Sequence, residues 1–283
     1  MEQKLPEAVD TIMRKLCEAL QARLPDTVQS VYVYGSTALG AYIEGSSDID
    51  FLAIVNRTLI SSDIRLIAEA HHEVELAFPD GLDIMGAYIR PEQLGKSVGE
   101  IPPVPTYHDK TMQHDGSGDL NPITWWILKN RGIRAYGQRM PFTYEISPDK
   151  LIRYVIENMN TYWAGWIDRL EQQVHSPDLA QHAMPQEHLD FAVEWCVLGM
   201  LRQYYTIREH DVTNKIGAGE YGLRHFPERW HGLIREAIAI KRREPQRAYS
   251  SQTSRQQDLI GLLRLIHATS NRMPAFGGDA DEN

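Results

Sequence analysis

An apolar run ending in Tyr34 meets Gly35-Ser36 directly, and after a gap Asp48-Ile49-Asp50 opens a second apolar run, Phe51-Leu52-Ala53-Ile54-Val55. A strand sends successive side chains to opposite faces, so Asp48 and Asp50 should project to one side while Ile49 enters a core. Two carboxylates on one side suit a hard divalent cation. Magnesium takes oxygen donors and keeps the rest of its shell for waters and substrate phosphates. The Gly35-Ser36 turn offers the complementary half of such a site. Glycine lets the backbone approach phosphate oxygens closely, and amide hydrogens with a serine hydroxyl at the start of a helix bind anions. Alone, an Asp-x-Asp is a solvated strand edge and a Gly-Ser is a turn. Bracketed by two apolar strands, they read as one site for metal and triphosphate.

This pattern resembles the nucleotidyltransferase superfamily related to DNA polymerase beta, whose signature is Gly-Ser followed after a gap by Asp-x-Asp. Within it, Tyr34-Gly35-Ser36-Thr37-Ala38-Leu39-Gly40 and Ser46-Ser47-Asp48-Ile49-Asp50-Phe51-Leu52 are similar to the aminoglycoside adenylyltransferases that modify streptomycin and spectinomycin. The resemblance implies transfer of AMP from ATP to a drug hydroxyl, with release of pyrophosphate. It also implies that Asp48 and Asp50 hold magnesium, two ions being expected, and that Gly35, Ser36 and Ser47 bind the triphosphate.

Composition narrows the alternatives. A chain of 283 residues with 42% hydrophobic content can bury a sizeable core and is long enough for two domains. Its two cysteines, Cys17 and Cys196, sit in apolar helical patterns and give neither a disulfide framework nor zinc-ligand spacing. No apolar run approaches the ~20 residues needed to span a bilayer, and the first residues lack a signal-peptide stretch. A cytoplasmic, monomeric enzyme with no membrane partner is the expectation. A net charge of −9 argues against a general nucleic-acid binder and favours a cationic small molecule.

Periodicity supplies the organisation. Val9, Ile12, Met13, Leu16 and Leu20 recur at helical spacing, a second helix follows Ser61-Ser62, and residues 82–89 read as a third strand ended by Arg90-Pro91. From about Pro148 strand patterns vanish, and amphipathic segments run over residues 151–170, 185–208, 228–243 and 256–271. The fold class is therefore α+β: a small mixed sheet with helices, in a nucleotidyltransferase domain over residues 1–145, then an all-α bundle over 146–276. Residues 277–283 read as a disordered acidic tail. Ligand sites favour clefts between domains, so the helices are expected to close over nucleotide and acceptor.

A third carboxylate is expected on the neighbouring strand, and Asp83 is the best placed. It is read as metal ligand or as general base for the acceptor hydroxyl, with Glu73, Glu75 and Asp80 as competitors. The family carries glutamate at the matching position. In the second half, residues 195–205 and then Val212-Thr213-Asn214-Lys215 extend the resemblance, because the family has an arginine and a lysine at this separation. By that match Arg202 and Lys215 reach the ATP phosphates, where charge develops on the leaving pyrophosphate. The other reading pairs Arg202 with Glu194 or Glu209 and leaves Lys215 solvated. For the acceptor, Glu187, Asp190, Glu194, Trp163 and Trp166 are available, and Trp125 and Trp126 are assigned to domain-interface packing. His71-His72 is read as a solvent-facing pair, His108 and His114 as loop residues, and Lys241-Arg242-Arg243 as a basic helix end. The leading hypothesis is a magnesium-dependent adenylyltransferase acting on an aminoglycoside or aminocyclitol. The same chemistry on a protein or another metabolite, and a nucleotide-binding regulator that has lost catalysis, are the alternatives.

Overall fold

The computed structural model describes residues 3–79, 83–96, 99–116, 119–175, 184–245 and 247–273. The acidic tail at 277–283 and Asp80 lie outside the described residues. The chain divides into two compact units, residues Met1–Ile146 and Ser147–Asn283.

The first unit is a mixed sheet with helices. In chain order it comprises α1 (Glu7–Arg23), β1 (Val28–Val33), a single turn α2 (Gly35–Ala38), β2 (Ile49–Val55), α3 (Ser61–Ala77) and β3 (Ile84–Ile89). A hairpin β4 (Val104–His108) and β5 (Thr111–Gly116), the helix α4 (Pro122–Arg131) and β6 (Ile133–Gly137) complete it. The six strands stand in the order β5-β4-β3-β2-β1-β6. Only β2 and β3 run parallel; the other neighbours are antiparallel. The parallel pair requires a crossover, and α3 supplies it.

One sheet face is closed by α1 and α3. Val31, Val33, Ile49, Phe51, Ala53 and Val55 share a single buried cluster with Ile12, Leu16, Ile67 and Val74. Each such large apolar side chain contributes about 1.5–3 kcal/mol on burial. The alternate residues of β2, including Asp50, consequently point to the opposite face. His71 belongs to the closed face: it is 1% exposed, its Nε2 lies 2.8 Å from the Tyr88 hydroxyl, and its ring stacks on Tyr107 at 3.6 Å. Only His72 faces solvent, which corrects the reading of these two as an exposed pair.

The hairpin β4–β5 corrects a second expectation, since His108 and His114 sit on strands. Its turn is Asp109-Lys110, both at positive φ (47° and 55°), with His108 paired to Thr111. That is the twist a two-residue hairpin needs, made here without glycine. Trp125 is fully buried within the first unit, donating its indole N–H to the Lys96 carbonyl at 2.8 Å.

Among the described residues, the second unit is all helical. It contains α5 (Pro148–Asn158), α6 (Ala164–His175), α7 (Gln186–Ala192), α8 (Leu198–Glu209), α9 (Lys215–His225), α10 (His231–Lys241) and α11 (Gln252–Asn271). A π-helical turn, Met159–Trp163, joins α5 to α6, and another, Val193–Val197, joins α7 to α8. The predicted segments 151–170 and 185–208 are thus each two α-helices in line across a π turn. Their apolar faces, with those of α9, α10 and α11, form one core that includes Trp163, Leu198, Leu233 and Leu263. Both cysteines are buried, and burial pushes each thiol up to about 12. They behave as small apolar side chains. Among the described residues no helix is long and apolar enough to cross a membrane.

Candidate active site

The site in the first unit is built where β1 ends and β2 begins. The Tyr34 amide donates to the Asp50 carbonyl at 2.9 Å, continuing the β1–β2 ladder past Val33 and Phe51. Gly35 then turns the chain at φ +60°, a conformation that disfavours any side chain. A Cβ built on Gly35 would stand 1.7 Å from Asp50 Oδ2. The Asp50 carboxylate therefore lies against the bare α-carbon of the glycine, directly ahead of Ser36. Sequence spacing alone had joined these residues; packing joins them physically.

Asp48 precedes the first residue of β2, and the strand-like alternation still holds: Asp48 is exposed, Ile49 is buried, and Asp50 is half-buried. Ser36 is half-buried in α2. Ser47, expected at the triphosphate, also has a local role. Its Oγ accepts from the Ile43 amide at 3.0 Å while its own amide donates to the Ile43 carbonyl at 2.9 Å, and the residue is buried. It closes the loop that delivers Asp48.

Asp83 lies one strand over. Its carbonyl accepts from the Ile49 amide at 2.8 Å, and Ile49 pairs with Ile84, so the register sets Asp83 beside Asp48. Asp83 is exposed and also lines a small cavity with His71, Glu75, Tyr107 and Lys110. Burial, then the hydrogen bond to Glu75 and the charges of Glu75 and Asp83, raise the Tyr107 hydroxyl above its ordinary range. Among the described residues no group of three or more His, Cys, Asp or Glu is gathered to hold a metal. The pair Asp48 and Asp50 fits one magnesium completed by phosphates and water, as the hard-oxygen chemistry requires. Two of the competitors are engaged elsewhere: Glu73 pairs with Lys15 at 2.6 Å and Arg23 at 2.9 Å, and Glu75 accepts from the Tyr107 hydroxyl.

Two residues of this neighbourhood escaped the sequence reading. Tyr34 is buried, and burial followed by the charges of Asp50 and Asp119 holds its phenol far above the usual range. It stays a neutral hydroxyl beside the carboxylates. Asp119, just before α4, thereby acts on the same phenol as Asp50; its long sequence separation gave no signal.

In the second unit Lys215 is the first residue of α9, set there by Asn214, whose side-chain oxygen caps the helix by accepting from Gly217 at 2.8 Å. Lys215 Nζ reaches Glu194 Oε1 at 2.8 Å and stands 4.5 Å from the centre of the Trp195 ring. Lys215 is thus paired, not solvated, and Glu194 is engaged by it. Arg202 is half-buried on α8. Asp190, considered for the acceptor, pairs with Arg247 at 2.7 Å and with the buried Arg255 at 2.6 Å, which also pairs with the fully buried Glu236 at 2.7 Å. A buried cation held by two carboxylates is internal architecture. Glu187 is exposed in the first turn of α7. Beside Glu194, Phe191 stacks on Trp195 at 5.8 Å, Trp195 donates its indole N–H to the Tyr162 hydroxyl at 2.9 Å, and Phe191 and Tyr162 remain 52% and 42% exposed.

Residues 13–85 match the model of the nucleotidyltransferase domain, and residues 179–263 match that of the aminoglycoside adenylyltransferase C-terminal domain. The chain belongs to the aminoglycoside adenylyltransferase family of nucleotidyltransferases. No curated protein sequence matches it significantly. Among solved structures, the spectinomycin adenyltransferase AAD(9) from Enterococcus faecialis, determined with ATP and spectinomycin, is similar at 15% identity with a TM-score of 0.61. The similarity covers 90% of this chain and 98% of that one, and establishes a shared fold. A STING-associated CdnE c-di-GMP synthase from Capnocytophaga granulosa aligns at 11% identity over 93% of this chain and 82% of its own, with a TM-score of 0.28. The α+β architecture and the adenylyltransferase class of this enzyme thus agree with the sequence reading.

Proposed function

We propose that this adenylyltransferase moves AMP from ATP to a hydroxyl of an aminoglycoside or aminocyclitol antibiotic and releases pyrophosphate. The observation that carries the reading is the Asp50 carboxylate packed on Gly35, with Asp48 on the same side of the buried Ile49. Asp48 and Asp50 are the residues that would hold magnesium, which when bound offsets the phosphate charge and polarises the phosphoryl group. The Gly35-Ser36 backbone and the Ser36 hydroxyl receive the triphosphate, while Ser47 keeps the loop in shape. Asp83, beside Asp48 in register, takes the acceptor proton as the hydroxyl oxygen bonds to the α-phosphorus. The bond to the β-phosphate breaks as that oxygen attacks, and Arg202 and Lys215 meet the charge on the departing pyrophosphate. An acidic chain of net charge −9 favours a protonated acceptor over an anionic one.

The test is pyrophosphate release from ATP and magnesium across a panel of spectinomycin, streptomycin and other aminoglycosides. The solved neighbour was determined with ATP and spectinomycin, which makes those two the first pair. Turnover with one drug, reduced by about a thousandfold in Asp48→Asn with an unchanged melting temperature, is the expected outcome. Asp48 is exposed, so its replacement should not unfold the chain. Full activity in Asp48→Asn would refute the metal assignment, and ATP-dependent labelling of a protein without drug turnover would refute the acceptor.

A further inference from the structure

At the β6 edge of the first unit the molecule carries a cavity of about 590 Å³ whose walls include Lys129, Arg131, Arg134 and Arg139, with no aspartate or glutamate among them. That is a local excess of cations on a chain whose net charge is −9. Lys129 and Arg131 lie in the last turn of α4, where cations ordinarily complement the helix dipole. Arg134 and Arg139 are not on the helix, so that explanation covers only half of the cluster. The half-charge of a helix C-terminus is also small against four full positive charges.

The segment bearing Arg139 is fixed in place. The Met140 amide donates to the Tyr32 hydroxyl at 2.8 Å, and Phe142 packs on the Tyr32 ring at 4.9 Å. Arg134 donates to the Gly137 carbonyl at 3.0 Å, and Lys129 to the Tyr144 carbonyl at 2.6 Å and the exposed Glu145 at 2.5 Å. Arg131 and Arg139 are exposed and make no ion pair with a described residue. Two guanidiniums are thus left for a ligand in a cavity of the size small-molecule sites use. Register also locates the cavity. Arg134 stands opposite Tyr32, and Tyr32 opposite Leu52, on the sheet face to which Asp50 points. Two strand spacings, roughly 10 Å, separate that row on β6 from the row on β2.

We propose that this cavity binds a di- or triphosphate group, through Arg131 and Arg139 with Arg134 and Lys129 in support. Planar guanidiniums bind phosphate oxygens in pairs, and several converging cations favour a polyanion over a single phosphate. The chemistry is shared by free pyrophosphate and by the tail of a nucleotide. The inference does not depend on drug turnover, because binding is read without it.

The experiment is calorimetric titration of the full chain with sodium pyrophosphate, and separately with ATP, in EDTA. It is repeated on the Arg131→Ala/Arg139→Ala double variant and on Arg65→Ala/Arg264→Ala, which removes two exposed cations away from the cavity. The expected result is a loss of about tenfold or more in pyrophosphate affinity in the first variant, and a change below about threefold in the second. A matching loss for ATP would extend the ligand to nucleotides; no loss for ATP would confine it to free pyrophosphate. Unchanged pyrophosphate affinity in the first variant, or absence of binding by the parent chain at about millimolar concentration, overturns the proposal.

Discussion

Lys215 Nζ is held 2.8 Å from Glu194 Oε1, with both side chains largely sheltered, at 19% and 13% exposure. The residue matched to phosphate binding is therefore joined to one considered for drug binding. A lysine so placed meets phosphate only by sharing or exchanging its carboxylate partner. Lys215→Ala should raise the KM for ATP by about tenfold, whereas Glu194→Gln should leave it within about threefold or lower it. Steady-state kinetics in ATP decides this. A larger penalty in Glu194→Gln than in Lys215→Ala would make the pair purely structural.

Gly35→Ala combines two penalties. An alanine at φ +60° costs about 1–2 kcal/mol, and its methyl would occupy the space of Asp50 Oδ2. The carboxylate must move, and a displacement of about 1 Å can cost a hundredfold in rate. Turnover should fall by at least that factor while the melting temperature falls by only about 4–8 °C. Comparing kcat with the melting curve checks it; full turnover would remove Asp50 from the site.

His71 makes the fold sensitive to acid. Burial lowers its imidazole to about 3 from the ordinary 6.5, so between these values the unfolded chain binds a proton that the folded chain refuses. Its stabilising contribution is complete above pH 6.5 and is lost as pH falls towards 3. The slope is about 1.4 kcal/mol per pH unit, giving a loss of about 2 kcal/mol by pH 5. Urea unfolding of the parent and of His71→Gln between pH 7 and 5 should show this slope in the parent only.

Gly199 accepts the Trp163 ring where a Cβ would lie 2.1 Å from its Cη2 atom. Gly199→Ala should destabilise the helical unit by about 1–3 kcal/mol and shift the tryptophan emission. Thermal melting followed by fluorescence reads both, and an unshifted spectrum at unchanged stability would contradict the contact.

The legible parts of this protein were those written locally. Gly35, Asp48 and Asp50 lie within one hairpin-sized stretch, and α1, α3 and the helices of the second unit announce themselves by period. The strands β4, β5 and β6 did not. Residues 111–116 are mostly exposed and polar, and the turn at Asp109-Lys110 lacks the glycine that usually marks a hairpin. His71 looked solvent-facing because its partner, Tyr88, sits on a strand beyond the helix end. Asp190 looked available because Arg255 reaches it from a distant helix. The carboxylates nearest a ligand in sequence patterns were, in several cases, already engaged by cations that only tertiary packing supplies.

The two π turns have a consequence for how the helical unit can diversify. Each accommodates one residue more than an α turn would, with Trp163 on one and Trp195 on the other. Removing a residue there would restore an unbroken α ladder while rotating the surface beyond it by about 100°. A single codon deletion, with no loop rebuilt, would present different side chains beside Tyr162 and Phe191. A scaffold with such built-in slack can exchange one exposed aromatic surface for another in a single genetic step.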